Sequence, residues 1–433
     1  MRRNQSGDSI GPTSLAPAIT VRSASGVGIS SLVAAISSYL ILFVTARSLS
    51  PADNANFLVF WSALFAIIGV LGGVQSESTR AVGSAATHGV SPGMDRPASV
   101  LGNGLAIGAG LAVALSATSI LWAPNLFPKG GMLGLVVILA IAAVAYSGHA
   151  SIAGAAAGRQ DWTTYSRLMG VEAAWRLVAV GVVVIVGASI RSFEIACILS
   201  AVVWLLFLLF SGSARTAMAA RADVTPKRLA RQSGHALLSA ASTAVLIVGF
   251  PILLRLTTSD AEYATAAPLI LAISMTRAPI MIPLQAFQGV FITSFLRQRS
   301  KGMLALVRPG AVLAGIGLVG AVLAFFVGPP IMTIFGPTYR MPGSILAGLT
   351  IDAILMAFLT LTGTAVLAAG RHRAYSSGWL SATAVSLALL FLPVPIDLRA
   401  FLSLLIGPAC GIIVHCLALS ARAARRESST ADS

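Results

Sequence analysis

The amino-acid sequence predicts an all-α polytopic membrane protein of about twelve transmembrane helices in two six-helix lobes. Three observations predict it. Twelve apolar stretches, each long enough to cross a bilayer, fill the chain. The cations between them gather on alternate loops, and a short motif recurs about half a chain later. Hydrophobic residues make up 56% of the chain and charged residues 10%, with a mean hydropathy of +0.88. A soluble fold of 433 residues could not bury that much apolar surface.

A helical crossing needs about 20 apolar residues. The spans fall at roughly 26–46, 56–74, 99–123, 130–157, 169–189, 193–212, 236–256, 264–294, 303–334, 345–369, 375–392 and 398–420. Several are longer than one crossing requires, so they tilt, kink or overhang the membrane. Residues 1–25 are polar, with Ser, Gly and Pro and no hydrophobic run, and read as a disordered tail. The first span then acts as an uncleaved signal anchor. The N-terminal lobe is expected over 26–212, a basic linker over 213–234, the C-terminal lobe over 235–420 and a second tail over 421–433.

The loop charges set the orientation. Of the 29 Lys and Arg residues, 21 lie in the tails and the loops on their side, only 6 lie in the other loops, and Arg176 and Arg277 fall inside spans. The excess of Lys and Arg marks the cytoplasmic side, so both termini are expected in the cytoplasm. The same distribution accounts for the net charge of +15. Cations spread one loop at a time form no groove-shaped patch, which argues against a nucleic-acid partner. Cys197, Cys410 and Cys416 lie in apolar stretches without metal-ligand spacing and read as small packing residues. No cofactor or metal motif is present.

The chain repeats itself. Ala156-Ala157-Gly158-Arg159 with Tyr165-Ser166 closes the fourth span, and Ala368-Ala369-Gly370-Arg371 with Tyr375-Ser376 closes the tenth. A weaker echo pairs the segment from Arg47 to Asn54 with that from Arg255 to Tyr263. Six spans per half leave both halves in one orientation, related by a pseudo-twofold axis along the membrane normal.

An ordered set of segments carries a resemblance over residues 26–420. It comprises Ala46-Arg47-Ser48-Leu49-Ser50-Pro51-Ala52-Asp53 with Phe57 following, Arg80, Gly158-Arg159 with Tyr165, Phe335-Gly336-Pro337-Thr338-Tyr339-Arg340, and Gly370-Arg371-His372-Arg373. Together these resemble the Wzx-type polysaccharide flippases of the superfamily that also holds MATE-type multidrug exporters and the lipid II flippase. One departure is plain: Asn54-Ala55 stands where such proteins usually carry Tyr-Gly. The resemblance implies a MATE-like, two-lobed bundle around a central cavity that opens to each side in turn. It also implies outward movement of undecaprenyl- or decaprenyl-phosphate-linked sugars, with membrane lipids and glycosyltransferases or a polymerase of the same pathway as partners. A polar cavity removes the cost of several kcal/mol that each unpaired polar group would meet in hydrocarbon.

The intramembrane charges are read independently of that resemblance. An Arg or Asp at a span centre costs about 2.5–3.5 kcal/mol, so each should face the protein interior. On span eight, Ser274, Arg277, Gln285 and Gln288 share a helical face, beside Pro279 and Pro283 that can bend the helix. Arg277 reads as a phosphate ligand in that stripe, or as a structural partner of Asp352. Glu172 and Arg176, four apart with the acid first, can pair within span five or contact substrate in the cavity. Asp352 reads as an ion-coupling carboxylate or the partner of a cavity arginine. Glu77 and Arg80 fall at the cytoplasmic end of span two, either as a headgroup entrance or as interfacial caps. Ser31, Ser38 and Thr45 recur every seven residues, and His235, Ser239 and Ser242 follow helical spacing. Both rows favour helix packing over ligand contact. His149 reads as a hydrogen-bonded structural residue ahead of a titrating one.

Two other classes compete. A polyprenyl-sugar enzyme would need acid or base groups on a long outer loop or domain, whereas the outer loops are short and the chain lacks phosphate loops, zinc spacings and nucleophile elbows. A MATE-like ion-coupled multidrug exporter of cations would need an acidic cavity. The spans carry Glu172 and Asp352 against two arginines, which favours an anionic substrate.

Overall fold

The computed structural model describes residues 21–89, 96–127, 132–286, 295 and 304–431. The N-terminal tail and Gln288 lie outside the described residues, as does the side chain of Gln285. The described chain is helical almost throughout. Its helices are α1 (Val21–Ser48), α2 (Pro51–His88), α3 (Val100–Ala117), α4 (Ser119–Leu126), α5 (Met132–Gly158), α6 (Trp162–Val186), α7 (Ile190–Leu199), α8 (Val203–Phe210), α9 (Gly212–Met218), α10 (Pro226–Ile247), α11 (Phe250–Leu256), α12 (Asp260–Tyr263), α13 (Ala267–Ala286), α14 (Leu304–Ile334), α15 (Gly343–Ala368), α16 (His372–Leu389) and α17 (Ile396–Ala431). Among the described residues nine helical segments are long and apolar enough to cross a membrane, and the bent pair α10–α11 makes a tenth. The shorter α13 and the serine-rich α16 take the eighth and eleventh places. The protein is an integral membrane protein.

Local chemistry sets the helix ends. Ser50 caps α2 by accepting from the Asp53 backbone N–H at 3.1 Å while donating to the Asp53 carboxylate at 2.7 Å, with Pro51 in the first turn. Asp161 accepts from the Thr164 N–H at 3.0 Å and starts α6. Ser189 and Ser192 form a reciprocal capping box on α7. Each arrangement engages amide groups that a helix start leaves free.

The two halves pack by one scheme. In the first, α1 packs on α6, α2 on α5, and α3 on α5. In the second, α10 packs on α16, α13 on α15, and α14 on α15. The lobes join where α2 meets α10 and where α1 meets α13, and these two contacts exchange under the swap of halves. The motif ends differ in detail. α5 closes with Gln160 at φ 61° and α15 with Gly370 at φ 77°, so the left-handed stop lies two positions later in the first half.

The α2–α10 joint is close because Gly73 has no side chain. A Cβ there would lie 2.6 Å from the Leu237 nitrogen and 2.7 Å from the Ala236 carbonyl carbon, both backbone atoms that cannot yield alone. Gly73→Val should force the lobes apart and lower stability by about 1–3 kcal/mol, read as a reduced thermal midpoint in detergent. An unchanged midpoint would contradict this packing.

The sequence-expected linker is partly structured. α10 already begins at Pro226, and residues 219–225 strap across the start of α3. Ala222 N donates to Ala98 O at 2.9 Å and Ala98 N to Val224 O at 3.1 Å, the only β-type pairing among the described residues.

Candidate functional site

Span seven is broken, and the break builds the site. Pro251 has no N–H to return to Ile247, and the Gly249 N–H bonds Ala244 O at 3.0 Å. The chain therefore turns by 67° between α10 and α11. Carbonyls at the end of α10 are left without helical donors, and the helix dipole makes that end partially negative. Arg277 of α13 supplies the donors: its Nη1 bonds Leu246 O at 3.3 Å and Ile247 O at 3.2 Å. Its guanidinium also lies 5.4 Å over the Phe250 ring. The second terminal nitrogen, Nη2, has no hydrogen-bond partner among the described residues.

Arg277 faces a cavity of about 610 Å³ between the lobes. Its walls come from α1 (Ser30, Ser31, Ser38, Tyr39), α2 (Trp61, Phe65), α6 (Tyr165, Met169), the α10–α11 break (Ile247, Val248, Pro251), α13 (Ser274, Arg277, Met281) and Met356 of α15. Most of this surface is apolar, and Arg277 is the one charged side chain among the described residues on it. The cavity is therefore cationic but less hydrophilic than the sequence suggested.

The lining lies between the middle of the bundle and the end where α1 and α6 begin. That end carries Arg80, Arg159 and Arg215 and is called the basic face below. Toward the opposite face the lobes are in contact. Asn54 Nδ2 of α2 donates to the Tyr339 hydroxyl at 2.7 Å, and the Phe43 and Phe335 rings meet edge-on with centroids 5.6 Å apart. Asn54 and Tyr339 are both buried. Nearby, Arg399 pairs with Glu262 at 2.6 Å and Arg255 pairs with Asp260.

The sequence-selected residues divide. Ser274 and Arg277 line the cavity. Arg176 and Glu172 do not: they lie one layer back, paired with each other and sharing Tyr146 and Ser200. Tyr146 donates to Glu172 at 2.9 Å, and Arg176 bonds the Tyr146 hydroxyl at 3.1 Å and Ser200 at 3.2 Å. Arg176 stacks behind Phe65 and Trp61, 5.0 and 6.0 Å from their centroids, so the aromatic wall separates it from the cavity. Asp352 is 1% exposed on α15, one turn from the lining Met356, and neither carboxylate oxygen has a hydrogen-bond partner among the described residues. It feels the Arg277 charge without bonding it. Pro279 and Pro283 leave α13 helical through Ala286, so the freed carbonyls come from Pro251 in the neighbouring span. Ser31 and Ser38 face the cavity, while Thr45 is fully buried.

No family model matches the chain. An uncharacterised protein of Mycobacterium tuberculosis, Rv1510, is 38% identical over 401 residues, which covers 92% of this chain and 91% of that protein. A second from that organism, Rv3630, is 36% identical over 404 residues, 93% of each chain. The chain belongs to their family. Its fold is that of the MATE transporters. The inward-facing conformation of a multidrug resistance MATE family transporter of the MOP superfamily superposes with a TM-score of 0.69 at 15% identity, covering 91% of this chain and 96% of that one. The outward-facing conformation of such a transporter gives 0.65 at 14% identity, with 94% and 96% covered. A MOP superfamily transporter from Pyrococcus furiosus, described as having a binding pocket of reversed polarity, gives 0.63 at 14% identity, with 92% and 96% covered.

Glu77 and Arg80 sit at the basic-face end of α2 and form a knot. Arg80 Nη2 pairs with Glu77 at 2.7 Å, and its Nη1 reaches Asp223 of the strap at 3.2 Å. Nη2 also reaches Gln232 of α10 at 3.1 Å. Burial raises the Asp223 carboxyl, but hydrogen bonds from Arg80 and Ser84 and the Arg80 charge outweigh it and hold the group below its ordinary range. A depressed carboxylate contributes stability above its unfolded pKa and loses it as pH falls through the lowered value. The wild type should therefore exceed Asp223→Asn in thermal midpoint at neutral pH, with the gap closing under acid. A gap that persists in acid would remove this ion pair from the account.

Proposed function

We propose that the protein is a flippase that moves polyprenyl-(pyro)phosphate-linked sugars from the cytoplasmic to the outer leaflet of a bacterial inner membrane, for envelope polysaccharide or glycan assembly. One observation carries this reading: among the described residues the cavity between the lobes presents a single charge, the Arg277 guanidinium, one nitrogen of which has no partner among them. A forked cation held in place by two backbone carbonyls is preorganised for a phosphate oxygen. The basic face is then cytoplasmic. The cavity accepts headgroups from that side, the prenyl tail stays in lipid, and alternating access releases the head opposite. No bond is made or broken. Asp352, buried without a hydrogen-bond partner among the described residues, serves as the coupling carboxylate. Synthesis of the glycolipid before transport and its consumption afterwards fall to glycosyltransferases and a polymerase.

The second reading is a MATE-like ion-coupled multidrug exporter. It is favoured by the apolar wall of Trp61, Phe65, Met169, Met281 and Met356, and disfavoured by the positive charge that a cationic drug would meet. Vesicles containing the purified protein separate the two. A fluorescent polyprenyl-phosphate hexose should equilibrate between leaflets at a rate that depends on the protein, while an organic cation should not move. Cation export without lipid movement would establish the exporter instead.

A further inference from the structure

Three serine hydroxyls on the cavity wall have their protons already engaged. Ser31 donates to Val27 O at 2.9 Å, Ser38 to Ala34 O at 2.8 Å, and Ser274 to Ile270 O at 3.0 Å. A serine hydroxyl has one proton and two lone pairs, so what these side chains offer the cavity is acceptors. The charged donor on the wall is Arg277, a residue only 7% exposed whose Nη2 bonds no other described group. The complementary ligand donates hydrogen bonds at several points and accepts strongly at one. A bare phosphate satisfies Arg277 and leaves the serines without donors, and an amine drug donates to the serines but meets the guanidinium. A hydroxylated, phosphorylated headgroup satisfies both.

The remaining wall suits the apolar side of such a head. Trp61 and Phe65 are 4.5 Å apart between centroids and are fixed from behind, by Phe57 at 6.0 Å from Trp61 and by the Arg176 guanidinium. Their π faces are negative and accept the weakly positive C–H face of a sugar ring. Ser31 and Ser38 are two helical turns apart, about 10 Å along the axis, which spans a ring together with its phosphate, or two rings.

We propose that the cavity contains a sugar subsite in which Ser31 and Ser38 accept hydrogen bonds from ring hydroxyls while the apolar face of the ring rests on Trp61 and Phe65. The subsite rests on the flippase reading and gives it a substrate class: headgroups with free hydroxyls, in preference to the same sugars acylated.

Vesicle transport tests it with two probes, a fluorescent undecaprenyl-phosphate hexose and the same lipid with the hexose peracetylated. The wild type should move the hydroxylated lipid at least about tenfold faster. Ser31→Ala with Ser38→Ala should slow that lipid by about 30-fold, the equivalent of two neutral hydrogen bonds, and leave the acetylated one unchanged. Ser31→Thr with Ser38→Thr keeps the acceptors and should restore the preference. Equal wild-type rates for both lipids, or a preference that survives the alanine pair, would overturn the subsite while leaving the flippase reading intact. Movement of neither lipid would overturn both. Should the alanine pair fail to fold, the wild-type comparison decides alone.

Discussion

Arg277→Ala is expected to abolish movement of the lipid headgroup and to destabilise the protein at the same time. The guanidinium bonds two carbonyls at the end of α10, and bonds to charged groups contribute about 1.5–3 kcal/mol each. The alanine variant should therefore lose about 2–4 kcal/mol after partial relaxation, so its inactivity alone cannot separate ligand binding from folding. Arg277→Lys separates them. An ammonium can reach the Leu246 and Ile247 carbonyls but has no second planar arm for the ligand. The lysine variant should fold with a thermal midpoint near the wild type and move the lipid about 10- to 100-fold more slowly. A lysine variant that transports at the wild-type rate would show that Nη2 does not hold the phosphate.

The second large effect belongs to the closed face. Tyr339→Phe deletes the oxygen that Asn54 Nδ2 bonds at 2.7 Å and leaves a buried amide without a partner, a cost of about 1–3 kcal/mol. That penalty applies only to the conformation in which the lobes meet there, so the equilibrium should shift about 5- to 150-fold toward the state open on that face. Spin labels at the exposed Arg47 and Arg340 positions, one in each lobe, report the change as a new population at longer distance. An unaltered distance distribution would mean that the Asn54–Tyr339 bond does not hold the lobes together.

The architecture was legible because a bilayer imposes length, apolarity and loop charge on every crossing, and the Gly-Arg echo marked the two halves. Breaks within spans were harder to place. Pro279 and Pro283 drew attention on span eight, while Pro251 made the break, because the preceding Gly249 lets the chain turn and Arg277 supplies the missing donors. Arg277 was singled out by the cost of a charge inside a span and Ser274 by sharing its helical face, and both lie on the cavity wall. Arg176 and Glu172 were readable as an ion pair at four-residue spacing, yet nothing in one sequence told that Trp61 and Phe65 would stand between them and the cavity. Ser31 and Ser38 looked like packing residues. Their hydroxyls do bond their own helix, and the cavity meets what remains of them. Asn54, a departure from the flippase pattern, proved to be the donor that joins the lobes, a contact across 285 positions that no local pattern could reveal.

Native mass spectrometry of the protein in detergent tests the central claim most directly, that the chamber between the lobes holds an anionic glycolipid head. Incubated with the undecaprenyl-phosphate hexose, the wild type should retain the lipid, and Ala35→Trp, which fills the cavity from α1, should release it. Equal retention with the cavity filled, or retention of organic cations in place of the lipid, would contradict the account.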